Sequence, residues 1–194
     1  MENERQSIID ALKEKIASLT STSTGPLLII EMINYGTAKE RKNILRQIKT
    51  IVVDVIQNKR KKALVVLLKL ILEVDDVVML NRCVLMPISN NLSQLFKPKE
   101  NSPIIQLLLT VFSGESKALE KAHATHAAHS TSKKSKEARL EQVGKKMLKE
   151  VVRAVKSSEV EALSDSHIAK VMQAVMLFIF ECTRHGRQEV NSCR

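Results

Sequence analysis

Aromatic residues, glycine and proline are all scarce in this 194-residue chain, which contains one Tyr, four Phe, no Trp, five Gly and four Pro. Few rings are therefore available to stack on nucleic-acid bases. Helix-breaking residues are few, and apolar residues recur at spacings of three and four almost throughout. The sequence therefore excludes a strand-rich fold and predicts an all-α protein.

Cysteine is also scarce, since Cys83, Cys182 and Cys193 are scattered and odd in number. They form no CxxC pair and have no spaced histidine partners, so the sequence predicts neither a zinc finger nor a disulfide framework. The apolar runs stay below the roughly 18 residues that a membrane helix needs, and the charged start of the chain is unlike a signal peptide. We expect a protein of the cytosol or nucleus.

Sequence motifs for catalysis are absent as well. The chain has no GxGxxG, Walker, HExxH or GxSxG motif, and no carboxylate pair set in an otherwise apolar helix. A helical repeat with few loops also offers few places to build a substrate pocket. We therefore expect a binding protein with no enzymatic activity, no cofactor and no metal.

Positive charge is what the chain has in excess. Lys and Arg number 31 against 21 acidic residues, so the formal net charge is +10 and the pI is near 9.6. A field of this sign attracts polyanions, either nucleic acid or an acidic protein tail. Because rings are scarce, contacts with backbone phosphates are favoured over readout of base identity.

Helix-ending residues at regular intervals divide the first part of the chain into repeats. An amino-terminal helix, about Glu4–Leu19, and a Ser/Thr-rich linker occupy residues 1–25, and the repeats occupy residues 26–116. Apolar helices are predicted at Leu27–Asn34, Ala63–Val74 and Pro103–Phe112, and a more polar helix follows each of the first two, at Ala38–Gln57 and from Val77 with a break at Pro87. The apolar helices end at Gly36, Asp75 and Gly114, which are 39 residues apart. That period lies in the range of helical solenoids.

The composition changes after the repeats. Residues 117–135 are rich in Ala, His, Ser, Thr and Lys, which predicts a flexible, partly disordered linker. A carboxy-terminal helical region at 136–183 follows, with helices predicted at Lys136–Val155 and Ile168–Cys182, and residues 184–194 are predicted to be a loose tail. The predicted architecture is an all-α solenoid.

Three blocks of sequence resemble the Puf-A/Penguin family of Pumilio-like proteins. The first is Tyr35–Lys42 (YGTAKERK) followed by Ile48–Val52, which looks like a repeat junction of that family. The second runs from Leu64–Leu68 (LVVLL) to the Asp75-Asp76 turn, and the third is Ser132–Arg139 (SKKSKEAR). The blocks lie in family order, and the resemblance covers roughly residues 26–183.

The resemblance implies a Pumilio/armadillo-like α-solenoid from a nucleolar protein that binds structured RNA or DNA with little sequence preference. It also implies a role in rRNA processing and assembly of the large ribosomal subunit. Family members are several times longer, with more repeats on the amino-terminal side. The chain thus resembles their last repeats only, as a fragment, a reduced homologue or one of two split polypeptides, and a second chain could supply the missing repeats.

The same resemblance indicates how bases would be read. Pumilio-type repeats that recognise single bases use three side chains of one helix, and carried over these fall on Leu64, Val65 and Leu68, then on Ser102, Pro103 and Gln106. Apolar side chains cannot hydrogen-bond a base edge, and proline cannot stack as an aromatic or Arg side chain would. Base-specific readout is therefore not expected.

Three clusters of basic residues are the candidate nucleic-acid-binding site. The first comprises Lys39, Arg41, Lys42, Arg46 and Lys49. The second comprises Lys59, Arg60, Lys61 and Lys62. The third comprises Lys133, Lys134, Lys136 and Arg139, and continues along the next helix as Lys145, Lys146, Lys149, Arg153 and Lys156. Contact with phosphates is the functional interpretation. The alternative is that these clusters are solvated helix faces that bind no ligand, with part of their charge neutralised by neighbouring acidic residues.

Histidine and methionine suggest weaker hypotheses. His123, His126 and His129 recur every three residues, and we predict a polar linker there rather than a metal site. Met147, Met172 and Met176 occupy apolar helical positions and are predicted to be core. An interface strip along the final helix, Val171–Phe180, is the alternative.

The sequence favours an RNA-binding protein that holds precursor rRNA through backbone contacts, and ribosome-assembly proteins through its surface, in the nucleolus or nucleus. An armadillo- or HEAT-like scaffold that binds acidic peptides or partner helices is the alternative. The first function predicts binding that weakens steeply with salt. The second predicts affinity for an acidic peptide without affinity for RNA.

Overall fold

The computed structural model describes residues 2–57, 61–92, 103–114, 133–157 and 165–192. In chain order the helices are α1 (Glu2–Leu12), α2 (Ile16–Leu19), α3 (Gly25–Tyr35), α4 (Ala38–Ile48), α5 (Val52–Gln57), α6 (Lys61–Glu73), α7 (Val77–Leu80), α8 (Met86–Asn90), α9 (Pro103–Ser113), α10 (Lys136–Lys156) and α11 (Ser166–Ser192), and a π-helical turn (Asn81–Leu85) joins α7 to α8. These described residues contain no strand. The predicted all-α helical-repeat class is confirmed.

The helices form two layers. In the first layer α3, α6, α9 and α11 lie side by side, each in contact with the next. The second layer consists of α4, the α7–α8 segment and α10, which again contact one another in that order. Each repeat therefore contributes one helix to each layer, as expected for an α-solenoid.

Helix α6 lies at the centre of the core. Every residue from Ala63 to Leu72 is buried, because α3 and α9 cover its two sides and α5 and α10 also contact it. A helix that is apolar on all sides is stable only when it is enclosed in this way.

The second-layer helices all begin with a side-chain N-cap. Thr37 accepts a hydrogen bond from the backbone N–H of Glu40, Asp76 from that of Met79, and Ser135 from that of Ala138. Such caps satisfy N–H groups that the helix itself leaves unpaired. The shared cap marks the same position in each repeat.

The turn between the layers of the third repeat contains extra sequence. Gly114 ends α9 with a φ of 72°, a left-handed conformation that favours glycine, and its carbonyl accepts a hydrogen bond of 2.8 Å from Lys136 Nζ. Residues 114 and 136 are therefore close together. Most of the predicted linker, 117–132, lies outside the described residues, and so does the histidine run.

Several predicted helices differ from the observed ones. The first predicted helix is split at residues 13–15, where α4 supplies replacement hydrogen bonds: Gln47 Oε1 accepts from the N–H of Ile16 at 3.2 Å, and Asn43 Nδ2 donates to the carbonyl of Lys13 at 3.3 Å. The predicted helix Ala38–Gln57 is likewise split at residues 49–51, where the Thr50 hydroxyl donates to the carbonyl of Gln47 at 2.9 Å. Tertiary contacts and a local hydroxyl thus replace helical bonds.

The irregularity near Pro87 falls one turn earlier than predicted. The chain stays helical from Val77 to Asn90, and the π turn places the Met86 N–H against the carbonyl of Asn81, five residues back. Because proline has no N–H to donate, the turn before it widens instead of ending the helix.

The last helix is longer than predicted. Helix α11 runs to Ser192, so residues 184–192 of the predicted loose tail are helical. Arg, Gln and Glu in this stretch favour helix, and only Gly186 opposes it.

Candidate nucleic-acid interface

Two of the predicted binding residues, Arg41 and Arg139, lie in the interior, with 3% and 5% of their surface exposed. Arg41 Nε donates to the carbonyl of Ile33 at 2.9 Å. Burial lowers the pKa of the Arg41 guanidinium, and the nearby charges of Glu73 and Asp75 act in the opposite direction. Both side chains hold the turns between helices, which corrects the prediction that they contact a ligand.

The Asp75 carboxylate binds residues at the start of the carboxy-terminal region. It accepts hydrogen bonds from Arg139 Nη1 at 3.0 Å and from the backbone N–H groups of Lys133 and Lys134 at 2.5 and 3.3 Å. The Lys134 ammonium donates to the Asp75 carbonyl at 3.1 Å and to Gln142 Oε1 at 2.9 Å. Lys134 therefore serves the fold as well as the surface.

Asp76, beside it, binds the first basic cluster. Lys42 Nζ lies 2.9 Å from Asp76 Oδ2. The backbone N–H of Met79 and the Lys42 side chain together hold the pKa of the Asp76 carboxyl below its usual value. The Asp75-Asp76 turn thus brings the first and third clusters together and neutralises part of their charge.

The remaining members of the three clusters are placed as follows. Lys39, Arg46, Lys49, Lys62, Lys133 and Lys136 are exposed. Two of these also bridge segments, since Lys62 Nζ donates to the carbonyl of Ser23 at 2.9 Å and Lys136 to that of Gly114. Lys59, Arg60 and the side chain of Lys61 lie outside the described residues.

A compact group of exposed cations lies where α4 meets the π turn. Burial raises the pKa of the Cys83 thiol, while the positive charges of Lys49, Arg46 and Arg82 act on the same thiol in the opposite direction. The three cations therefore lie within electrostatic range of one side chain of the second layer. None of them forms an ion pair with the residues that the structure describes. We call Arg46, Lys49 and Arg82 the second-layer basic cluster.

Sequence reasoning missed Arg82. It lies in a largely apolar segment and has no basic neighbour in the sequence, so no cluster of letters marks it. The available signal was the spacing: Val78, Arg82 and Met86 recur every four residues and all three are exposed. A lone arginine on the exposed stripe of an otherwise buried helix is a surface cation.

Helix α10 extends the basic surface on the other side of α7. Lys145 pairs with Glu141, and Arg153 with Glu150, whereas Lys146 and Lys149 are exposed and form no ion pair within the described part of the chain. Lys146 and Lys134 line a shallow groove together with Val78 and the acidic Asp75 and Asp76. The positive surface thus spans all three second-layer helices.

The positions that read bases in Pumilio-type repeats are closed in this chain. Leu64, Val65 and Leu68 are at most 5% exposed, and Pro103 is also buried. Gln106 is half-buried, and Ser102 lies outside the described residues. Side chains packed in the core cannot reach a base edge, so these described positions cannot read a sequence.

The methionine predictions are confirmed only in part. Met147 is buried and Met172 half-buried, but Met176 is 64% exposed, so the prediction of core is wrong there. Leu177 and Phe180 are similarly exposed, because α11 is covered on one side only.

Within the described ranges, no helix combines the length and the hydrophobicity required to cross a lipid bilayer.

Comparison with known proteins supports a Pumilio-like relationship. Over 108 residues, 56% of this chain, the sequence is 30% identical to the Pumilio domain-containing protein 12 of Caenorhabditis elegans. The matched segment amounts to 14% of that protein's length, so the chain spans a small part of its relative. No protein-family model and no solved structure matches the chain. The distant match supports a Pumilio-like relationship, which agrees with the helical-repeat fold.

Proposed function

We propose that the chain binds RNA through its phosphate backbone, as a protein of Puf-A/Penguin type that serves assembly of the large ribosomal subunit in the nucleolus. The observation that carries the proposal is the second-layer basic cluster. Arg46, Lys49 and Arg82 are exposed, lie within electrostatic range of Cys83 and form no ion pair with the described residues. Cations held in this way can exchange their counterions for phosphates, which is the main source of nonspecific RNA affinity.

Binding is expected to depend on the shape of the RNA and not on its sequence. The base-reading positions Leu64, Val65 and Leu68 are buried, and the chain has one Tyr and no Trp to stack on bases. Phosphate contacts position a protein on nucleic acid but carry no sequence information. Duplexes and folded RNA, whose backbones are regular, are the preferred targets.

The role in ribosome assembly rests on the resemblance of three sequence blocks to the Puf-A/Penguin family. Two of those blocks contact each other directly, since the Asp75 turn of the second block binds Lys133, Lys134 and Arg139 of the third. The resemblance therefore falls on residues that hold the repeats together. We propose that the protein acts beside other ribosome-assembly proteins.

The binding proposal is tested by titrating the protein into labelled rRNA fragments and unrelated duplexes of equal length. We expect similar affinity for both. A variant with Arg46→Gln, Lys49→Gln and Arg82→Gln should bind about ten- to a hundredfold more weakly. The control variant Lys13→Gln, Lys15→Gln, Arg184→Gln removes the same charge from exposed positions outside the three candidate clusters, between α1 and α2 and on α11, and should lose less than about threefold. Equal losses in both variants would show that only net charge matters and would refute a localised surface.

The cellular part of the proposal needs a different measurement. A tagged chain should accumulate in the nucleolus and sediment with precursors of the large subunit, and ribonuclease should release it. The basic-cluster variant should move to the light fractions. A wild-type chain that stays in the light fractions, or outside the nucleus, would contradict the assembly role while leaving RNA binding to the titration.

One observation favours a protein ligand as the second candidate. Val78 is 66% and Met86 48% exposed, and both flank Arg82 on the stripe between two basic helices. An amphipathic helix with an apolar face and acidic margins would complement this stripe. If such a peptide is the ligand, Val78→Ser combined with Met86→Ser should abolish its binding, whereas the same variant leaves the charge unchanged and should reduce RNA binding only slightly.

A further inference from the structure

Helix α11 is apolar on two opposite faces. One face, which includes Ile168, Val171 and Phe178, is buried against α9 and α10. The opposite face presents Met176, Leu177 and Phe180, which are 64%, 57% and 65% exposed. At 100° per residue these three side chains lie within about a quarter turn of one another. They therefore form one continuous strip, which we call the outer strip of α11.

Helix α6 shows what such a helix requires. It belongs to the same layer and is apolar on nearly every side, apart from Lys69, which pairs with Glu73 at 3.1 Å, and α3 and α9 cover its two sides. Among the described helices, α11 has a covering neighbour in its layer, α9, on one side only, and its outer strip is exposed. Large apolar side chains grouped on a helix surface mark an interaction site, and the shape that fits beside α11 in this layer is another helix.

The charges beside the outer strip indicate which helix. Lys170 and Glu181 are exposed and stand 11 residues apart, which is about three turns, so they lie on the same margin of the strip near its two ends. A parallel copy of α11 would place the two charged margins on opposite sides of the contact, where neither charge meets its opposite. An antiparallel copy related by a two-fold axis near residue 176 brings Lys170 of each copy alongside Glu181 of the other. The margin is thus self-complementary, as an isologous interface must be.

We propose that the outer strip of α11 pairs with the outer strip of a second copy of this chain in an antiparallel homodimer. Met176, Leu177 and Phe180 form the apolar contact, and two reciprocal Lys170 to Glu181 pairs fix the direction. Arg184 lies at one end of the strip, and antiparallel pairing keeps the two copies of it about 20 Å apart. The pairing surface lies in the first layer, whereas the second-layer basic cluster lies in the other. The dimer therefore does not depend on the proposed function, and it doubles the basic surface that a long RNA could engage.

The dimer is tested by sedimentation equilibrium of the full chain over a wide concentration series. Wild type should pass reversibly from 21.8 kDa to twice that mass. Leu177→Lys should remain monomeric, while the matched control Val78→Lys, an equally exposed apolar residue of the second layer, should dimerise as wild type does. Circular dichroism should show unchanged helix content in both variants, because neither side chain is buried.

Charge reversal tests the direction of pairing. Lys170→Glu and Glu181→Lys should each weaken the dimer about tenfold, and the double variant should recover most of the loss. A chain that stays monomeric at every concentration would assign the strip to a different helix and overturn the proposal. The proposal would also be overturned if the chain assembled beyond a dimer. It would be overturned as well if Leu177→Lys and Val78→Lys dimerised equally, or if the double variant did not recover the lost dimer affinity. RNA affinity of Leu177→Lys, measured below the dimer's dissociation constant, should match wild type, which separates a failed dimer from a failed RNA proposal.

Discussion

The Asp75 carboxylate and the Arg139 guanidinium, 64 residues apart in the sequence, are joined by a hydrogen bond of 3.0 Å between Oδ1 and Nη1. Asp75 belongs to the turn after α6, and Arg139 to the first turns of α10. The Arg139 side chain is 6% exposed and that of Asp75 is 27% exposed. This buried pair therefore fixes the carboxy-terminal region on the second repeat.

Replacing Asp75 with Ala should destabilise the chain by about 2–3 kcal/mol, because a buried guanidinium then loses its carboxylate, and the partial exposure of Asp75 moderates the cost. Urea unfolding measures the change. The matched control is Asp10→Ala, which removes a carboxylate from the exposed pair with Lys13 and should cost less than about 0.5 kcal/mol. Equal costs for the two variants would contradict the role given to the Asp75 turn.

Acid should weaken the Asp76 cap. The folded pKa of this carboxyl is lowered, mainly by the Met79 N–H and then by Lys42, so the unfolded chain takes up the proton at a higher pH than the folded chain does. The stabilisation is therefore complete above the unfolded pKa near 4 and is lost as the pH falls through the lower folded value. We expect the stability difference between wild type and Asp76→Asn to be largest at neutral pH and to vanish once the pH has fallen below the lowered folded pKa. Urea unfolding over a pH series tests this, and a difference that stays constant with pH would refute it.

Close packing of α10 on α11 requires glycine at position 144. A Cβ built there would lie 2.5 Å from Cζ of Phe178, whose buried ring packs edge-on against Phe112 with centroids 5.3 Å apart. Gly144→Ala should therefore destabilise the protein by about 1–3 kcal/mol, although Ala normally stabilises a helix interior by about 1 kcal/mol over Gly.

A double-mutant cycle supplies the control for this contact. In a Phe178→Leu background the ring is gone, and Gly144→Ala should cost much less than in wild type. Thermal unfolding of the four proteins measures the coupling. Additive effects would mean that the ring does not set the helix separation.

The sequence predicted the helical class and several helix boundaries because their causes are local. Pro103 and Gly114 delimit α9, and the predicted helix starting at Lys136 begins there because Ser135 caps it. The splits in the first helix and after Ile48 were missed. In the first case the replacement hydrogen bonds come from Gln47 and Asn43, which are distant in the sequence.

The site was predicted less well than the fold, because a cluster of basic letters does not show which side chains face inward. Arg41 precedes Ile44, Leu45 and Ile48 at spacings of three, four and seven, which places it on the apolar face of α4. Arg139 precedes Val143 and Met147 at spacings of four and eight, which places it on the apolar face of α10. This periodicity could have identified both as interior residues. The grouping of Arg82 with Arg46 and Lys49 could not have been found, because it depends on how two helices pack.

The salt dependence of RNA affinity tests the central claim most directly. Each phosphate contact contributes roughly 0.7–0.9 to the slope of log affinity against log salt, so removing Arg46, Lys49 and Arg82 as Gln variants should reduce the slope by about 2–3. The Lys13, Lys15 and Arg184 control should leave the slope nearly unchanged. A steep slope in wild type that falls by this amount only in the basic-cluster variant is the predicted result. A wild-type slope near zero, or one that the basic-cluster variant leaves unchanged, would contradict the account that these cations hold RNA phosphates.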